Sequence, residues 1–238
     1  MADHTVRSFD EALERLRDTL LRLGGIAEKA LTEAIAALAK RDADMAAHIV
    51  QRDAELDGLC RLAEDQAVKL LALRQPMASD LRLVVGAIRM ALDLERVGDY
   101  AANIAKRTIV LAQLPPAISV GPIQRMSRIV QEMLKDTLDA FAAHDVEKAQ
   151  SVWERDEQVD EAYNAVFRSL LTYMMEDPRN ITPCAHLLFI AKNVERIGDH
   201  ATNLAETIRF IELGEEMLKD RPKRDDSPFA IVEPPAGV

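Results

Sequence analysis

The stretch DLERVGDYAANIAK at residues 93–106 returns as NVERIGDHATNLAE at residues 193–206. Both copies carry Glu, Arg, Gly, Asp, Ala, Asn and Ala in register, at an offset of 100 (93 with 193). A second pair of segments, RDADMAAHIVQRDAELD at 41–57 and HDVEKAQSVWERDEQVD at 144–160, aligns at an offset of 103 (41 with 144). A repeat this close indicates one supersecondary unit used twice.

Apolar residues recur at helical spacing around these segments and predict three helices in each copy. In the first copy, a capping box at Ser8 and Glu11 opens a helix to about residue 39, which Gly24-Gly25 loosens. A second helix, capped by Asp42, runs to about 73, and a third follows the Arg-Gln-Pro-Met turn to about 111. The second-copy helices are predicted over 124–143, 145–175 and 182–218.

The proline-rich stretch LPPAISVGP at 114–122 cannot be helical throughout and marks the boundary between the copies. Three helices joined by short turns pack as an antiparallel bundle. The predicted fold is therefore all-α, with two tandem antiparallel three-helix bundles at 1–114 and 123–218. Residues 219–238, rich in proline and charge, are predicted to form a disordered tail.

The composition excludes several classes of protein. The formal net charge is −10, so the chain as a whole has no electrostatic reason to bind nucleic acid or an anionic membrane. Its first residues lack the apolar core of a signal peptide, and no run approaches the roughly 20 apolar residues of a membrane span. We expect a cytoplasmic protein. Cys60 and Cys184 lack metal-ligand spacing and are predicted to be reduced core thiols.

The second helix of each copy carries an acid within an apolar row of 4-3-4-3 spacing, the spacing of a core seam. The first row is Ile49, Asp53, Leu56, Cys60, Ala63, Ala67 and Leu70. Its counterpart is Val152, Asp156, Val159, Tyr163, Val166, Leu170 and Tyr173. Asp57 and Asp160 follow one turn later on the same face.

The third helix of each copy carries another acid pair, on a row beside a wholly apolar seam. These pairs are Glu95 with Asp99 and Glu195 with Asp199. Like charges four residues apart on an exposed helix cost a few tenths of a kcal/mol, and burial adds to that cost. If the second and third helices of a copy pack together, four carboxylates converge. Oxygen ligands of this kind suit Mg²⁺, Ca²⁺, Mn²⁺ or iron.

Blander interpretations of the same residues stay open. The acids could form a solvated face, or could pair with Arg52, Arg96, Arg155 and Arg196. Asn103 and Asn203, one turn beyond the last acid of each copy, could be secondary ligands or could hydrogen-bond a neighbouring helix. Gly98 and Gly198 lie inside helices, where close approach of another helix is the expected reason for glycine.

The motifs ERVGDYAANIA and ERIGDHATNLA resemble the PhoU family, regulators of bacterial phosphate uptake, and the resemblance covers roughly residues 8 to 217. The Glu/Asp-x-x-x-Asp motifs of that family bind multinuclear metal clusters. They match Asp53 and Asp57, Glu95 and Asp99, Asp156 and Asp160, and Glu195 and Asp199. The resemblance thus implies iron, Mn or Mg ions, divalent or trivalent, at both carboxylate clusters.

The resemblance also implies a role and partners. Members of the family act as negative regulators of the phosphate-starvation response. They connect a phosphate ABC transporter, through its ATPase subunit, to a sensor histidine kinase, and a homodimer is expected. Such a protein would be peripheral to the membrane only through its partners. An adaptor of another phosphate permease, without functional metal, is the alternative.

An enzyme of the ferritin-like di-metal oxidase class is the remaining hypothesis for a helical protein with carboxylate sites. Those bundles combine their carboxylates with Glu-x-x-His motifs. The chain contains no Glu-x-x-His. We therefore expect a non-enzymatic regulator.

Overall fold

The computed structural model describes residues 2–116 and 118–215, with the side chains of residues 2–7 left aside. The described chain consists of helices and short connections, without β-strands. The helices are α1 (Ala2–Lys40), α2 (Ala43–Arg74), α3 (Ala78–Ala112), α4 (Gly121–Ala143), α5 (Val146–Trp153), α6 (Asp156–Glu176) and α7 (Ile181–Leu213). A short 3-10 turn at Pro178–Asn180 precedes α7. This architecture confirms the predicted all-α fold built from an internal repeat.

Each repeat packs as an antiparallel bundle, and the two bundles join along their sides. In the first, α1, α2 and α3 contact one another, and in the second, α4 to α7 do so. The repeats meet where α3 packs along α7 and α1 packs against α4. The predicted tail at 219–238 lies outside the described residues, so the boundaries proposed for the three segments stay predictions.

The predicted seams form the core, except that Tyr173, the last member of the second-repeat row, is 41% exposed. Every member of the apolar row on α3, from Leu83 to Ile104, is buried. Both cysteines are buried free thiols, as expected. Burial, with smaller contributions from nearby acids, raises the pKa of Cys60 to about 11, which keeps it a protonated, unreactive core residue. No helix in the described ranges is both long and apolar enough to cross a membrane.

The start of α1 was predicted too late. The helix begins before Ser8, and the Ser8 hydroxyl accepts a hydrogen bond from the Arg74 guanidinium of α2 at 2.8 Å. The helix also continues through Gly24-Gly25 without a break. A Cβ on Gly24 would lie 2.3 Å from Leu138 Cδ2 of α4, so glycine here permits the close approach of the two repeats.

The helix predicted over 145–175 is two helices in the structure. The break falls at Glu154 and Arg155, between α5 and α6, and makes Asp156 the first residue of α6. The equivalent α2 is continuous through Asp53. The last helix is also shorter than predicted. It ends at Leu213, where Gly214 adopts the left-handed conformation (φ 73°) that commonly terminates helices.

Candidate metal centres

Four carboxylates of the first repeat lie on α2 and α3, which pack against each other, and they influence one another's ionisation. Burial first, then the charges of Asp99 and Asp57, raise the pKa of Asp53 above its ordinary range. Burial and the same neighbouring acids, with Asp53 among them, raise the pKa of Glu95. Because acids on each helix shift a carboxyl on the other, α2 and α3 bring together Asp53, Asp57, Glu95 and Asp99, which we call the first cluster.

One arginine partly compensates the first cluster. Arg96 Nη1 lies 3.0 Å from Asp99 Oδ2, and Arg96 Nε lies 3.6 Å from Glu95 Oε2. Its side chain is 58% exposed, so this pairing is a surface salt bridge of small net energy. Arg52 instead binds Glu33 of α1, at 3.0 Å. The salt-bridge interpretation of these acids therefore holds for Arg96 and is wrong for Arg52.

The corresponding acids of the second repeat, Asp156, Asp160, Glu195 and Asp199, form the second cluster, which is more deeply buried. Asp156, Asp160 and Glu195 are only 2%, 4% and 6% exposed, whereas the equivalent acids of the first cluster are half-buried. The Thr202 hydroxyl donates to Asp156 Oδ1 at 3.3 Å. The Lys192 ammonium lies 2.8 Å from Glu195 Oε1.

The helix break at Glu154 and Arg155 affects the second cluster directly. It places Asp156 in the first turn of α6, where the helix dipole favours a negative charge. Arg155 turns away and donates to Asp136 Oδ2 of α4 at 2.6 Å. No glycine or proline marks the break, so helix periodicity could not reveal it. Arg155 thus pairs outside the cluster, contrary to the salt-bridge interpretation.

The remaining predicted residues lie nearer the interface between repeats. Asn203 Nδ2 donates to Asp93 Oδ1 of α3 at 3.4 Å, and His200 Nδ1 lies 2.7 Å from the same oxygen. This contact favours the interpretation in which Asn203 hydrogen-bonds a neighbouring helix rather than a metal ion. Asn103, its counterpart in the first repeat, is half-buried. Arg196 also leaves the acids and lies over the Tyr100 ring, 5.6 Å from its centroid.

Gly98 and Gly198 serve close helix packing, as predicted. A Cβ on Gly98 would lie 2.6 Å from Leu56 Cδ1, and one on Gly198 would lie 3.2 Å from Val159 Cγ1. Leu56 and Val159 follow the first acid of each cluster on the neighbouring helix. The two glycines therefore let the acid-bearing helices approach each other.

The clusters fit a metal ion in some respects. Their donors are carboxylate oxygens, which hard cations prefer. Burial first, and then the charges of neighbouring acids, raise the pKa values of Asp53 and Glu95, and a bound cation would offset both effects. Over the described ranges, however, no three Asp, Glu, His or Cys side chains converge closely enough to hold one ion as they lie. Metal binding at either cluster would require side-chain rotation.

Periodicity and the repeat revealed the eight acids, and Arg96 was the one of their partners that the sequence analysis named. Lys192 and Asp93 were missed because each is an ordinary charged residue on a long helix. A difference between the copies would have marked both, since Lys192 corresponds to Leu92 and Asp93 to Asn193. Positions where two repeats differ in charge are thus a usable signal.

Most of the chain is similar in sequence to proteins of one known family. The PhoU domain model matches residues 20–108 and 123–208. A protein of Caulobacter vibrioides (strain NA1000 / CB15N), named phosphate-specific transport system accessory protein PhoU homolog, is 52% identical over 226 residues, covering 94% of this chain and 98% of that protein. A relative of the same name in Rhizobium meliloti (strain 1021) is 47% identical over 224 residues, covering 93% and 94%.

Two solved structures of PhoU proteins have the same fold as this chain. The crystal structure of PhoU from Pseudomonas aeruginosa superposes with a TM-score of 0.84 at 38% identity, covering 87% of this chain and 100% of that one. The phosphate transport system regulatory protein PhoU from Streptococcus pneumoniae gives 0.82 at 32% identity, covering 88% and 99%. With its doubled domain and these near full-length relatives, the chain belongs to the PhoU family.

Proposed function

We propose that this protein is an accessory protein of phosphate-specific transport that represses phosphate uptake and the phosphate-starvation response. The observation that carries the proposal is the relative of that name in Caulobacter vibrioides, which is 52% identical over nearly the whole of both chains. The doubled helical architecture and all eight acidic motif positions are also present in this chain. The function is regulation through binding partners rather than catalysis.

The proposed partners are the ATPase subunit of a phosphate ABC transporter and a sensor histidine kinase. We propose that the protein acts as a cytoplasmic homodimer and reaches the membrane through these partners. Affinity purification of the tagged protein from membranes of phosphate-replete cells tests the partners. We expect to recover both proteins, and recovery of neither would contradict the proposal. Light scattering of the purified protein measures the dimer.

Deletion of the gene tests the regulatory role. We expect deletion to derepress a phosphate-starvation reporter in phosphate-rich medium, and the intact gene supplied in trans to restore repression. A reporter that stays repressed in the deletion strain would argue against negative regulation.

The two clusters are proposed to bind divalent or trivalent metal ions, with iron, Mn and Mg as the candidates. Support comes from the all-oxygen donor sets, and from the burial and like-charge repulsion that raise the pKa values of Asp53 and Glu95 in the first cluster. Elemental analysis of protein purified without chelator tests this point. Replacing Asp53, Asp57, Glu95 and Asp99 with Asn or Gln should abolish metal uptake by the first repeat. Unchanged metal content would remove that site from the proposal.

An adaptor without functional metal is the second candidate. Two observations favour it. Arg96 and Lys192 already neutralise part of the two clusters, and among the described residues no three acids lie close enough together to hold one ion. A metal-free preparation that still binds both partners would support this candidate over the metal-dependent one.

A further inference from the structure

Lys192 places a positive charge inside the second cluster. Its ammonium lies 2.8 Å from Glu195 Oε1, one helical turn further along α7. The same ammonium lies 4.8 Å from the centroid of the Tyr163 ring on α6, within range of a cation–π interaction. The side chain is 32% exposed while Glu195 is buried, so the contact is screened less by solvent than a surface pair.

The first cluster has no lysine at the equivalent position. Its nearby lysine is Lys106 of α3, an exposed residue whose charge acts to lower the pKa of Asp53. The position equivalent to Lys192 is Leu92, which is 48% exposed, and the position equivalent to Tyr163 is Cys60. The first cluster instead uses Arg96, an exposed residue that can swing into water at little cost. Its counterpart Arg196 lies over the Tyr100 ring. The two repeats therefore neutralise equivalent acids in different ways.

We propose that Lys192 is an internal counter-ion that competes with metal at the second cluster, so that the two clusters differ in metal affinity and the first binds more tightly. The proposal rests on the proposed metal-binding function. A metal cation at Glu195 would meet the ammonium at short range, and their repulsion is strong where water is largely excluded. Binding there requires Lys192 to leave both Glu195 and the Tyr163 ring, whereas the cations beside the first cluster, Arg96 and Lys106, are both exposed to solvent.

The test isolates the second cluster in the full-length chain. Asp53→Asn, Asp57→Asn, Glu95→Gln and Asp99→Asn remove the first cluster, and Mn²⁺ binding is then measured from the electron paramagnetic resonance signal of the free ion. Adding Lys192→Leu should tighten Mn²⁺ binding at least about tenfold, since it removes a full charge beside the site. Lys192→Arg keeps the charge and should leave the affinity unchanged.

Two controls separate a local effect from a general change in charge. Arg196→Leu removes one positive charge from the same helix, from a guanidinium that lies over the Tyr100 ring, and should change Mn²⁺ affinity little. In the otherwise unaltered chain, Leu92→Lys introduces a lysine at an exposed position, which does not threaten folding, and should weaken binding at the first cluster. Circular dichroism establishes that each variant is folded.

Three results would overturn the proposal: equal affinity with and without Lys192→Leu, an equal gain from Arg196→Leu, or unchanged binding after Leu92→Lys. Failure of the metal-binding function itself looks different, because no chain, including the Lys192→Leu variant, would then bind Mn²⁺. That outcome removes both proposals. If the first cluster binds Mn²⁺ and Lys192→Leu does not raise the Mn²⁺ affinity of the second, only the proposed role of Lys192 is removed.

Discussion

At the scale of single residues, the ionised carboxylate of Asp53 destabilises the folded state of the metal-free chain. Its pKa is raised by burial and then by Asp99 and Asp57. Between the ordinary pKa of 3.8 and the raised value, the native state holds more protons than the unfolded state, so stability falls as pH rises through this window. Above the window the full cost is present.

We therefore expect Asp53→Asn to stabilise the chelator-treated protein at pH 7 by at least about 0.3 kcal/mol, the cost of one like-charge pair on a helix. The gain should shrink as pH is lowered toward 4. Urea unfolding at several pH values measures it. Glu55→Gln, at an exposed position on the same helix, is the control and should change stability little. An Asp53→Asn protein less stable than the parent at pH 7 would contradict the argument.

Asp136 should show the opposite pH dependence. Burial alone would raise its pKa, but hydrogen bonds from Arg155 and Lys148 outweigh burial and lower it. A lowered pKa contributes stability above the ordinary value of 3.8, and that stability is lost as pH falls through the folded value. Asp136→Asn should thus cost about 1 kcal/mol at pH 7 and progressively less below pH 4, in the same unfolding series. A cost independent of pH would show that the carboxylate charge is not what stabilises the contact.

At the scale of helices, some glycines are required by the close approach of another helix, whereas others have open space beside them. A Cβ on Gly86 of α3 would lie 2.5 Å from Ile211 Cγ1 of α7, and the β-branched isoleucine has little freedom to move. Gly25 of α1 has no atom within 4 Å of such a Cβ. Alanine is the better helix former by about 1 kcal/mol at both positions.

We predict that Gly86→Ala lowers the free energy of unfolding by about 1–2 kcal/mol, because overpacking outweighs the gain in helix propensity. Gly25→Ala should raise it by about 1 kcal/mol. Chemical denaturation of the two variants beside the parent protein gives both values. Equal changes of the same sign would show that the α3–α7 contact is looser than the structure indicates.

The helix cap at Asp42 and the apolar seams could be predicted from the local sequence. Asp42 was predicted to cap α2, and its carboxylate accepts from the Met45 backbone N–H at 2.9 Å. The apolar seams were predicted because a helix repeats its faces at a regular spacing. The break before α6 was not predicted, because it accompanies a contact between Arg155 and Asp136 on another helix. The contact of Ser8 with Arg74, more than sixty positions away, was likewise not visible in the local sequence.

At the scale of the whole molecule, the repeats are related by approximate twofold symmetry. Tyr100 and His200 occupy equivalent positions, and their rings meet 5.6 Å apart where α3 crosses α7. Arg82, near the start of α3, donates to the Ile211 carbonyl near the end of α7, so the two helices run antiparallel. The symmetry is broken by charge, since Asp93 binds His200 while Asn193 occupies the equivalent position. This arrangement depends on distant contacts, and the repeat alone could not predict it.

The interface between repeats should make the chain unfold as one unit. Besides the contact of Gly86 with Ile211, the Arg107 guanidinium lies 4.0 Å from the centroid of the Phe189 ring across the interface. Neither bundle can unfold without exposing the apolar surface that the other covers. Trp153, the one tryptophan of the chain, is buried in the second repeat and reports on that repeat alone, whereas circular dichroism reports on all helices.

We expect both signals to follow a single transition in urea. Leu70→Ala creates a cavity in α2 of the first repeat and should cost about 2–5 kcal/mol. Because unfolding is shared, the Trp153 transition should move to lower urea by the same amount as the circular dichroism transition. Val68→Ala, at an exposed position on the same helix, should move neither. A Trp153 transition that stays in place while the circular dichroism curve splits in two would mean that the repeats unfold independently despite the α3–α7 contact.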